Sequence, residues 1–266
     1  MIFNTRTGAQ AKREQPPTLK PERDCQSISV RGVELKFTTP NRLAKWRVDT
    51  LLTKEPETVA WINCFKEGDI FIDVGANVGM YTVYAAAVSK ATVYAFEPES
   101  QNYSLLNENI YLNALDQRVR AFPMAISDRV GLDVLNLSTW GPAGSCHSAG
   151  EAIAYNGEQF SPKFVQGTYT LTLDHFSNIF TAGSDIHLKI DVDGIEPNVI
   201  NGATNALREK QIKSVLVEIN HNLSAHLNIV RKLLEFGYVF DFDQVKESLR
   251  KDGPFAGVAN YVFCRH

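Results

Sequence analysis

Short apolar runs along the chain alternate with segments whose hydrophobic positions recur at helical spacing. The apolar runs are long enough for buried strands, and the segment 80–88 after the first run spaces its apolar residues like one face of a helix. This alternation predicts an α/β fold, a three-layer Rossmann-like sheet of seven strands, mostly parallel with the last strand antiparallel, and helices on both faces. The predicted strands cover 70–74, 92–96, 119–126, 186–192, 214–219, 238–242 and 259–264.

An N-terminal extension precedes this pattern. The polar, proline-containing residues 1–24 predict a flexible tail. Residues 28–37 alternate weakly and predict a hairpin, and residues 41–65 predict a helical segment. We therefore expect a hairpin and helical cap over 25–66, followed by the main α/β domain over 67–266.

Residues 131–173 interrupt the alternation. Residues 132–137 and 164–173 predict two strands, and the segment 139–160 between them is rich in glycine and small polar residues. A loop of this length in a compact domain is usually functional. We expect a substrate-facing insertion here.

Two helices are predicted after this insertion. The first covers residues 197–209. In the second, Leu223, Leu227, Val230 and Leu234 recur at helical spacing and lie on one helical face.

Composition and charge exclude several classes of protein. The 266 residues include 27 Lys and Arg against 30 Asp and Glu, a net charge of −3, which argues against a nucleic-acid or membrane-surface binder. Hydrophobic residues make up 44%, which excludes an intrinsically disordered chain. The four cysteines form no CxxC pair, and no apolar stretch reaches the length of a membrane span. We expect a cytoplasmic protein without membrane insertion; the oligomeric state stays open.

The most informative motif joins the first predicted strand to its helix and reads Asp73-Val74-Gly75-Ala76-Asn77-Val78-Gly79. Its glycines allow a tight turn and close approach to a ligand, as in nucleotide sites. The dinucleotide fingerprint has glycine where Asn77 stands, and the Asp73 carboxylate suits a positive amine better than a pyrophosphate. Glu97, at the end of the next strand, suits two ribose hydroxyls. Together these features fit S-adenosylmethionine.

Several motifs in this order resemble the FkbM family of methyltransferases. The loop motif continues through Met80-Tyr81-Thr82, and Phe96-Glu97-Pro98 follows at the end of the next strand. The resemblance covers residues 50–240 and implies a class I methyltransferase domain that uses S-adenosylmethionine. The remaining motifs are the upstream Lys54-Glu55-Pro56-Glu57, the residues Asn102, Leu105, Asn109 and Asn113 after the second motif, Ala125-Ile126-Ser127-Asp128, Leu173-Asp174, Lys189-Ile190-Asp191-Val192-Asp193-Gly194-Ile195-Glu196 and Val217-Glu218.

The resemblance also implies a cofactor site at the carboxyl ends of the first three strands. Glu97 is expected to hold the ribose, and Tyr81 and Thr82 to meet the methionine carboxylate through the helix end. Met124 and Ala125 are expected to flank the adenine. A structural turn for the glycine loop and a helix-capping role for Glu97 stay open as alternatives. The methionine part of the cofactor is expected to lie on Gly75, Ala76, Asn77 and Gly79.

A second group of charged residues follows the fourth predicted strand. Lys189, Asp191 and Asp193 share one face if this segment is extended. We expect Asp191 to act as general base or substrate-orienting group, with Lys189 tuning its charge and His221 as the alternative base. Asp191, Asp193 and Glu218 are also candidate ligands for Mg²⁺, and a strand-end ion pair is the structural alternative.

These inferences favour a methyltransferase that uses S-adenosylmethionine to methylate a hydroxyl of a sugar, glycan or secondary metabolite. The acceptor class comes from the resemblance. A nicotinamide-dependent oxidoreductase is an alternative, although the three-glycine fingerprint is lacking. A cofactor-binding module without catalysis is the other alternative.

Overall fold

The computed structural model describes residues 24–176 and 183–265, so the tail expected over 1–24 lies, except for Asp24, outside the described residues. In chain order the strands are β1 Cys25–Val30, β2 Val33–Thr38, β3 Ile70–Val74, β4 Thr92–Phe96, β5 Val119–Phe122, β6 Ala125–Ile126, β7 Gly131–Leu137, β8 Ser148–Ala149, β9 Phe164–Leu171, β10 Ile186–Ile190, β11 Ile212–Asn220, β12 Val239–Phe240 and β13 Val258–Cys264. The helices are α1 Arg42–Asp49, α2 Pro56–Ile62, α3 Met80–Val88, α4 Ser100–Leu112, α5 Leu173–Phe176, α6 Glu196–Asn201, α7 Ser224–Glu235 and α8 Phe242–Ser248.

The central sheet has seven strands in the order β12-β13-β11-β10-β3-β4-β5. The strands from β11 to β5 are parallel to one another, whereas β13 is antiparallel to both of its neighbours. All of β3 is buried, with Phe71 in one apolar core and Ile70, Ile72 and Val74 in a second core on the opposite face. The predicted α/β sheet, including its antiparallel last strand, is confirmed.

The third predicted strand is divided in two. β5 ends at Phe122 in the central sheet, and β6 begins at Ala125 and pairs with β9 in a separate four-stranded sheet of order β6-β9-β7-β8. Pro123 lies between them and has no N–H to continue a ladder. The sequence pattern 119–126 is therefore one apolar run that contributes to two sheets.

The predicted insertion contains this second sheet. β7 and β9 confirm the two expected strands, although the second ends at Leu171 because Leu173 begins α5. The segment 139–160 contains the short strand β8, which pairs with β7. This segment packs against the loop between β3 and α3, as described below.

The N-terminal region forms the expected hairpin, β1 and β2, but its helical part is two helices rather than one. Asn41 caps α1 by accepting the N–H of Ala44, and Pro56 begins α2 after an intervening turn. The Thr38 backbone N–H donates to the Asn109 side chain on α4. These contacts attach the hairpin and helices, which we call the cap, to the main sheet.

The buried face of α7 differs from the apolar face noted in the sequence. His226, Ile229 and Leu233 are buried, whereas Leu227 and Leu234 are 38% and 44% exposed. Both sets of positions have helical spacing, so periodicity alone does not distinguish them.

Two other predicted elements are shorter than expected. The helix predicted at 197–209 is α6 followed by a separate 3₁₀ turn at Ala206–Arg208. The strand predicted at 238–242 is limited to β12, because Asp241 caps α8 by accepting the N–H of Asp243. No helix in the described part of the chain is long and apolar enough to cross a membrane.

Candidate active site

The loop between β3 and α3 passes close to the end of β10. Gly75 has a φ of +82°, and a Cβ added there would lie 1.9 Å from the backbone oxygen of Asp191. A Cβ on Gly79, which also has a φ of +82°, would lie 2.4 Å from Leu106 Cδ1 on α4. The backbone oxygen of Asp191 leaves no room for a side chain at Gly75, whereas at Gly79 the neighbour is the mobile end of a Leu side chain and the positive φ is what favours glycine. A structural role of the motif is therefore compatible with a ligand-binding role.

Glu97 connects this loop to the start of α4. Its Oε2 accepts the Asn77 N–H at 2.8 Å, and its Oε1 accepts the Glu99 N–H at 2.9 Å. Burial raises the pKa of Glu97 to about 7, against the effect of these hydrogen bonds. Glu99, not Glu97, caps α4 by accepting the N–H groups of Gln101 and Asn102.

A cavity, which we call the first cavity, opens between Glu97 and the end of β10. Phe96, Met124 and Ala125 give it an apolar side, and Asp191 and Asp193 lie on its polar side. The structure thus brings together the predicted ribose-binding, adenine-flanking and charged residues around one space.

The segment 139–160 forms a wall of the first cavity. The Gly144 carbonyl accepts the side-chain N–H groups of Asn77 at 2.6 Å and Asn102 at 3.0 Å. The Cys146 N–H donates to Asp193 Oδ2 at 2.7 Å. Asn102 also lines the first cavity, and no role was predicted for it from the sequence.

A second cavity lies on the other side of the loop. It shares Gly75, Asn77 and Asp191 with the first cavity, so the two meet at the loop. Residues of the cap also line this cavity, a contribution that was not predicted. The remaining lining residues are Arg47, Thr50, Leu51, Lys54 and Glu55 from the cap and Asp73, Ala76, Met80, Tyr81 and Lys189 from the main domain.

A buried ion cluster occupies one wall of the second cavity. Lys189 Nζ lies 2.8 Å from Asp191 Oδ2 and 3.9 Å from Asp73 Oδ1. Burial alone lowers the pKa of Lys189, but the two carboxylates outweigh it and raise this pKa above its ordinary value. Burial alone raises the pKa of Asp191, but the Lys189 ammonium outweighs this effect and lowers the pKa of the carboxyl below its ordinary value. Both groups are therefore charged at neutral pH.

Asp73 has one satisfied and one unsatisfied oxygen. Its Oδ2 accepts the Thr82 hydroxyl at 2.6 Å, whereas the buried Oδ1 accepts no hydrogen bond from a described residue. Burial raises the pKa of Asp73, and the Lys189 ammonium opposes this effect. An unsatisfied carboxylate oxygen in a cavity wall is suited to a hydrogen-bond donor on a ligand.

The structure does not place Tyr81 and Thr82 together. Successive helical residues point about 100° apart, so the Thr82 side chain is buried on Asp73 while Tyr81 lines the second cavity. The Tyr81 hydroxyl donates to Glu55 Oε2 at 2.8 Å. The Thr82 hydroxyl therefore orients Asp73, and the expected contact of this helix end with a cofactor carboxylate stays a prediction.

The other two predicted acids and the alternative base, His221, lie in different surroundings. Burial, together with the Asp191 carboxylate, raises the pKa of Asp193. Burial also raises the pKa of Glu218, whose carboxylate contacts Arg250 at 3.0 Å. His221 lines neither cavity, and its Nε2 is 3.0 Å from the Tyr261 hydroxyl.

The expected Mg²⁺ ligands do not form a metal site. Among residues 24–176 and 183–265, no three His, Cys, Asp or Glu side chains are grouped so as to hold a metal ion. Asp191 is paired with Lys189, Asp193 with the Cys146 N–H, and Glu218 with Arg250. The carboxylates are thus directed to separate partners, which corrects the magnesium prediction.

A family model, described as the methyltransferase FkbM domain, matches residues 73–240. The chain belongs to the FkbM methyltransferase family. The match begins at Asp73 and includes both Glu97 and the charged residues after β10, which confirms the resemblance noted in the sequence. The cap that lines the second cavity precedes the matched region of this methyltransferase.

Among characterised proteins, the FkbM-family chain is similar to the hexuronic acid methyltransferase AglP from Haloferax volcanii. The two are 28% identical over 202 residues, which is 72% of each chain. Among solved structures, it is similar to M. jannaschii TYW2 in complex with AdoMet, with 14% identity, a TM-score of 0.43 and coverage of 93% and 90% of the two chains. Precorrin-6y C5,15-methyltransferase from Geobacter metallireducens has 12% identity, a TM-score of 0.42 and coverage of 86% and 93%. These structural likenesses concern the fold alone.

Proposed function

We propose that this FkbM-family protein transfers the methyl group of S-adenosylmethionine to an oxygen of a sugar or glycan, most simply a hydroxyl. The observation that supports the cofactor most directly is the pair of buried acids, Asp73 and Glu97, at the ends of the neighbouring strands β3 and β4. The two acids lie on opposite sides of the loop 75–79, and each faces a different cavity.

The residues present fit the two ends of this cofactor. Each oxygen of Glu97 accepts one backbone hydrogen bond and keeps a lone pair for a ribose hydroxyl. The apolar side of the first cavity, with Met124 and Ala125, suits the adenine ring. Asp73 Oδ1 lacks a donor, and an ammonium group in the second cavity supplies one. We therefore assign the adenosine to the first cavity and the amino-acid end to the second.

The charged residues after β10 have two separate tasks in this proposal. When bound, the cofactor supplies an electrophilic methyl group on a positively charged sulfur. Asp191 is held as a carboxylate by Lys189 and is a weak base, so we assign it to binding and orientation. Asp193 lines the same cavity and has a raised pKa, so we assign it to accepting the proton that the acceptor hydroxyl releases.

The acceptor class is supported by the similarity to AglP, whose name gives its substrate as a hexuronic acid. Such a sugar has hydroxyl and carboxylate oxygens, and the assay must distinguish methyl ether from methyl ester products. The insertion that walls the first cavity next to Asp193 is the segment we assign to the acceptor.

Two measurements test this function. Calorimetry with S-adenosylhomocysteine and NAD is expected to show binding of the first ligand only, and binding of NAD alone would overturn the assignment. Methyl-labelled S-adenosylmethionine is then supplied with hexuronic acids, neutral hexoses and their glycosides, and NMR identifies the methylated oxygen. The Glu247→Gln variant, changed at an exposed position on α8, is the matched control. Binding without transfer to any of these acceptors would favour a non-catalytic module.

A further inference from the structure

The cap presents two cationic side chains to the second cavity. Arg47 lies on α1, Lys54 lies just before α2, and both line this cavity. Both also precede residues 73–240, which the family model matches. The matched region therefore contains neither residue, and their place in the cavity needs a separate explanation.

The positions of these cations are fixed by the structure around them. Arg47 Nε donates to the Ala143 carbonyl at 3.0 Å, and no described residue accepts a hydrogen bond from its terminal nitrogens. Lys54 Nζ lies 2.6 Å from Glu55 Oε1, while the other oxygen of Glu55 accepts the Tyr81 hydroxyl. Glu55 therefore holds Lys54 and Tyr81 on the same side of the cavity.

Two carboxylates line the same cavity. Asp73 Oδ1 is buried, accepts no hydrogen bond from a described residue and lies 3.9 Å from Lys189 Nζ, and the Lys189 ammonium keeps Asp191 ionised. A ligand with an ammonium group towards Asp73 and a carboxylate towards Arg47 and Lys54 complements both the acidic and the basic side chains. An α-amino acid zwitterion has this charge pattern, and charge-assisted hydrogen bonds of this kind are the strong ones.

We propose that Arg47 and Lys54 bind the carboxylate of the methionine end of the cofactor, so that the N-terminal cap is part of the cofactor site. This inference rests on the proposed use of S-adenosylmethionine. It replaces the expected role of Thr82, whose hydroxyl is committed to Asp73. It also gives Glu55 a positioning role, because this buried carboxylate orients Lys54.

The test compares two ligands that differ only beyond the sulfur. S-adenosylhomocysteine contains the amino-acid end, whereas methylthioadenosine has a methyl group in its place. Calorimetry on Arg47→Gln and Lys54→Gln is expected to show a loss of S-adenosylhomocysteine affinity of about 10- to 100-fold for each variant, with methylthioadenosine affinity unchanged. Arg47→Lys is expected to recover part of the affinity. Lys45→Gln, changed at an exposed position on the same helix, is expected to bind both ligands like the wild type.

The outcomes separate this inference from the proposed function. If wild-type protein binds neither ligand, the proposed cofactor is wrong. If the variants bind both ligands like the wild type and only the KM for a carboxylated acceptor rises, the two cations bind the acceptor and the inference is overturned. Equal weakening of both ligands also overturns it, because that result indicates a distorted loop rather than a lost carboxylate contact.

Discussion

The Glu97 carboxylate accepts the backbone N–H of Asn77 at 2.8 Å and thereby joins the end of β4 to the glycine loop after β3. A second backbone hydrogen bond, from Glu99, anchors the same carboxylate to the segment before α4. Glu97 therefore shapes the loop as well as presenting two oxygens to the first cavity. Substitution at this position tests the two roles separately.

Replacement of Glu97 by alanine is expected to weaken the binding of S-adenosylhomocysteine by tenfold or more, since the ribose hydroxyls lose their acceptor. The loss of two backbone hydrogen bonds to a buried carboxylate is expected to lower the free energy of unfolding by about 1–3 kcal/mol as well. Calorimetry measures the first effect and urea denaturation the second. Unchanged affinity in a folded variant would remove Glu97 from the cofactor site.

Stability is expected to depend on pH through Glu97. Burial raises its pKa from 4.5 to about 7, so folding favours the protonated form, and this contribution is complete below pH 4.5 and lost as pH rises through 7. A difference of this size corresponds to about 3 kcal/mol. The amide of Glu97→Gln does not titrate, so only the wild type loses this contribution. In the absence of ligand, the free energy of unfolding of Glu97→Gln minus that of the wild type is therefore expected to increase by about 3 kcal/mol between pH 4.5 and 8.

Urea denaturation of both proteins across this pH range measures that difference. The new amide contributes an offset that does not vary with pH, so only the slope is informative. Glu247→Gln, at an exposed position on α8, is the control and is expected to follow the wild type closely. A constant difference between Glu97→Gln and wild type would show that the Glu97 carboxyl titrates alike in the folded and unfolded chains.

The arrangement of Asp73 and Glu97 was predictable because parallel strands bring their carboxyl ends to the same edge of a sheet. Each acid ends or follows an apolar run that could be recognised from the sequence. Their separation into two cavities was not predictable, because it depends on where Gly75 crosses the end of β10. That crossing is a contact between segments more than a hundred residues apart in the sequence.

The walls of the site were harder to predict than its centre. The contacts of Gly144 with Asn77 and of Cys146 with Asp193 depend on the conformation of a long loop without a regular hydrophobic pattern. The contribution of Arg47 and Lys54 depends on how the cap docks on the main sheet. Hydrophobic periodicity describes local structure, and it contains little information on such docking.

Asp191 and Asp193 are expected to respond differently to conversion to asparagine. Asp191→Asn removes the nearest partner of the buried Lys189 ammonium and is expected to destabilise the protein by about 3–5 kcal/mol. Asp193→Asn leaves that pair intact and is expected to retain cofactor binding while slowing methyl transfer by about 100-fold or more. Thermal melting, calorimetry and single-turnover rates separate these effects. A wild-type rate in Asp193→Asn would assign the proton to another group.

The glycine loop offers a matched pair of substitutions. Gly75 and Gly32 have almost the same positive φ, +82° and +81°, but a Cβ on Gly32 meets nothing within 4 Å, whereas one on Gly75 would lie 1.9 Å from the Asp191 oxygen. Gly32→Ala is therefore expected to cost about 1–2 kcal/mol from backbone strain alone. Gly75→Ala is expected to cost at least about 2 kcal/mol more, because the end of β10 must shift.

Gly75→Ala is also expected to reduce S-adenosylhomocysteine affinity, since a displaced Asp191 alters both cavities. Gly32→Ala lies in the hairpin turn between β1 and β2 and is expected to bind this ligand like the wild type. Urea denaturation and calorimetry on the two variants measure stability and affinity side by side. Equal destabilisation of the two would mean that the crossing of the loop and β10 is looser than the structure indicates, and that Gly75 is required for its backbone conformation alone.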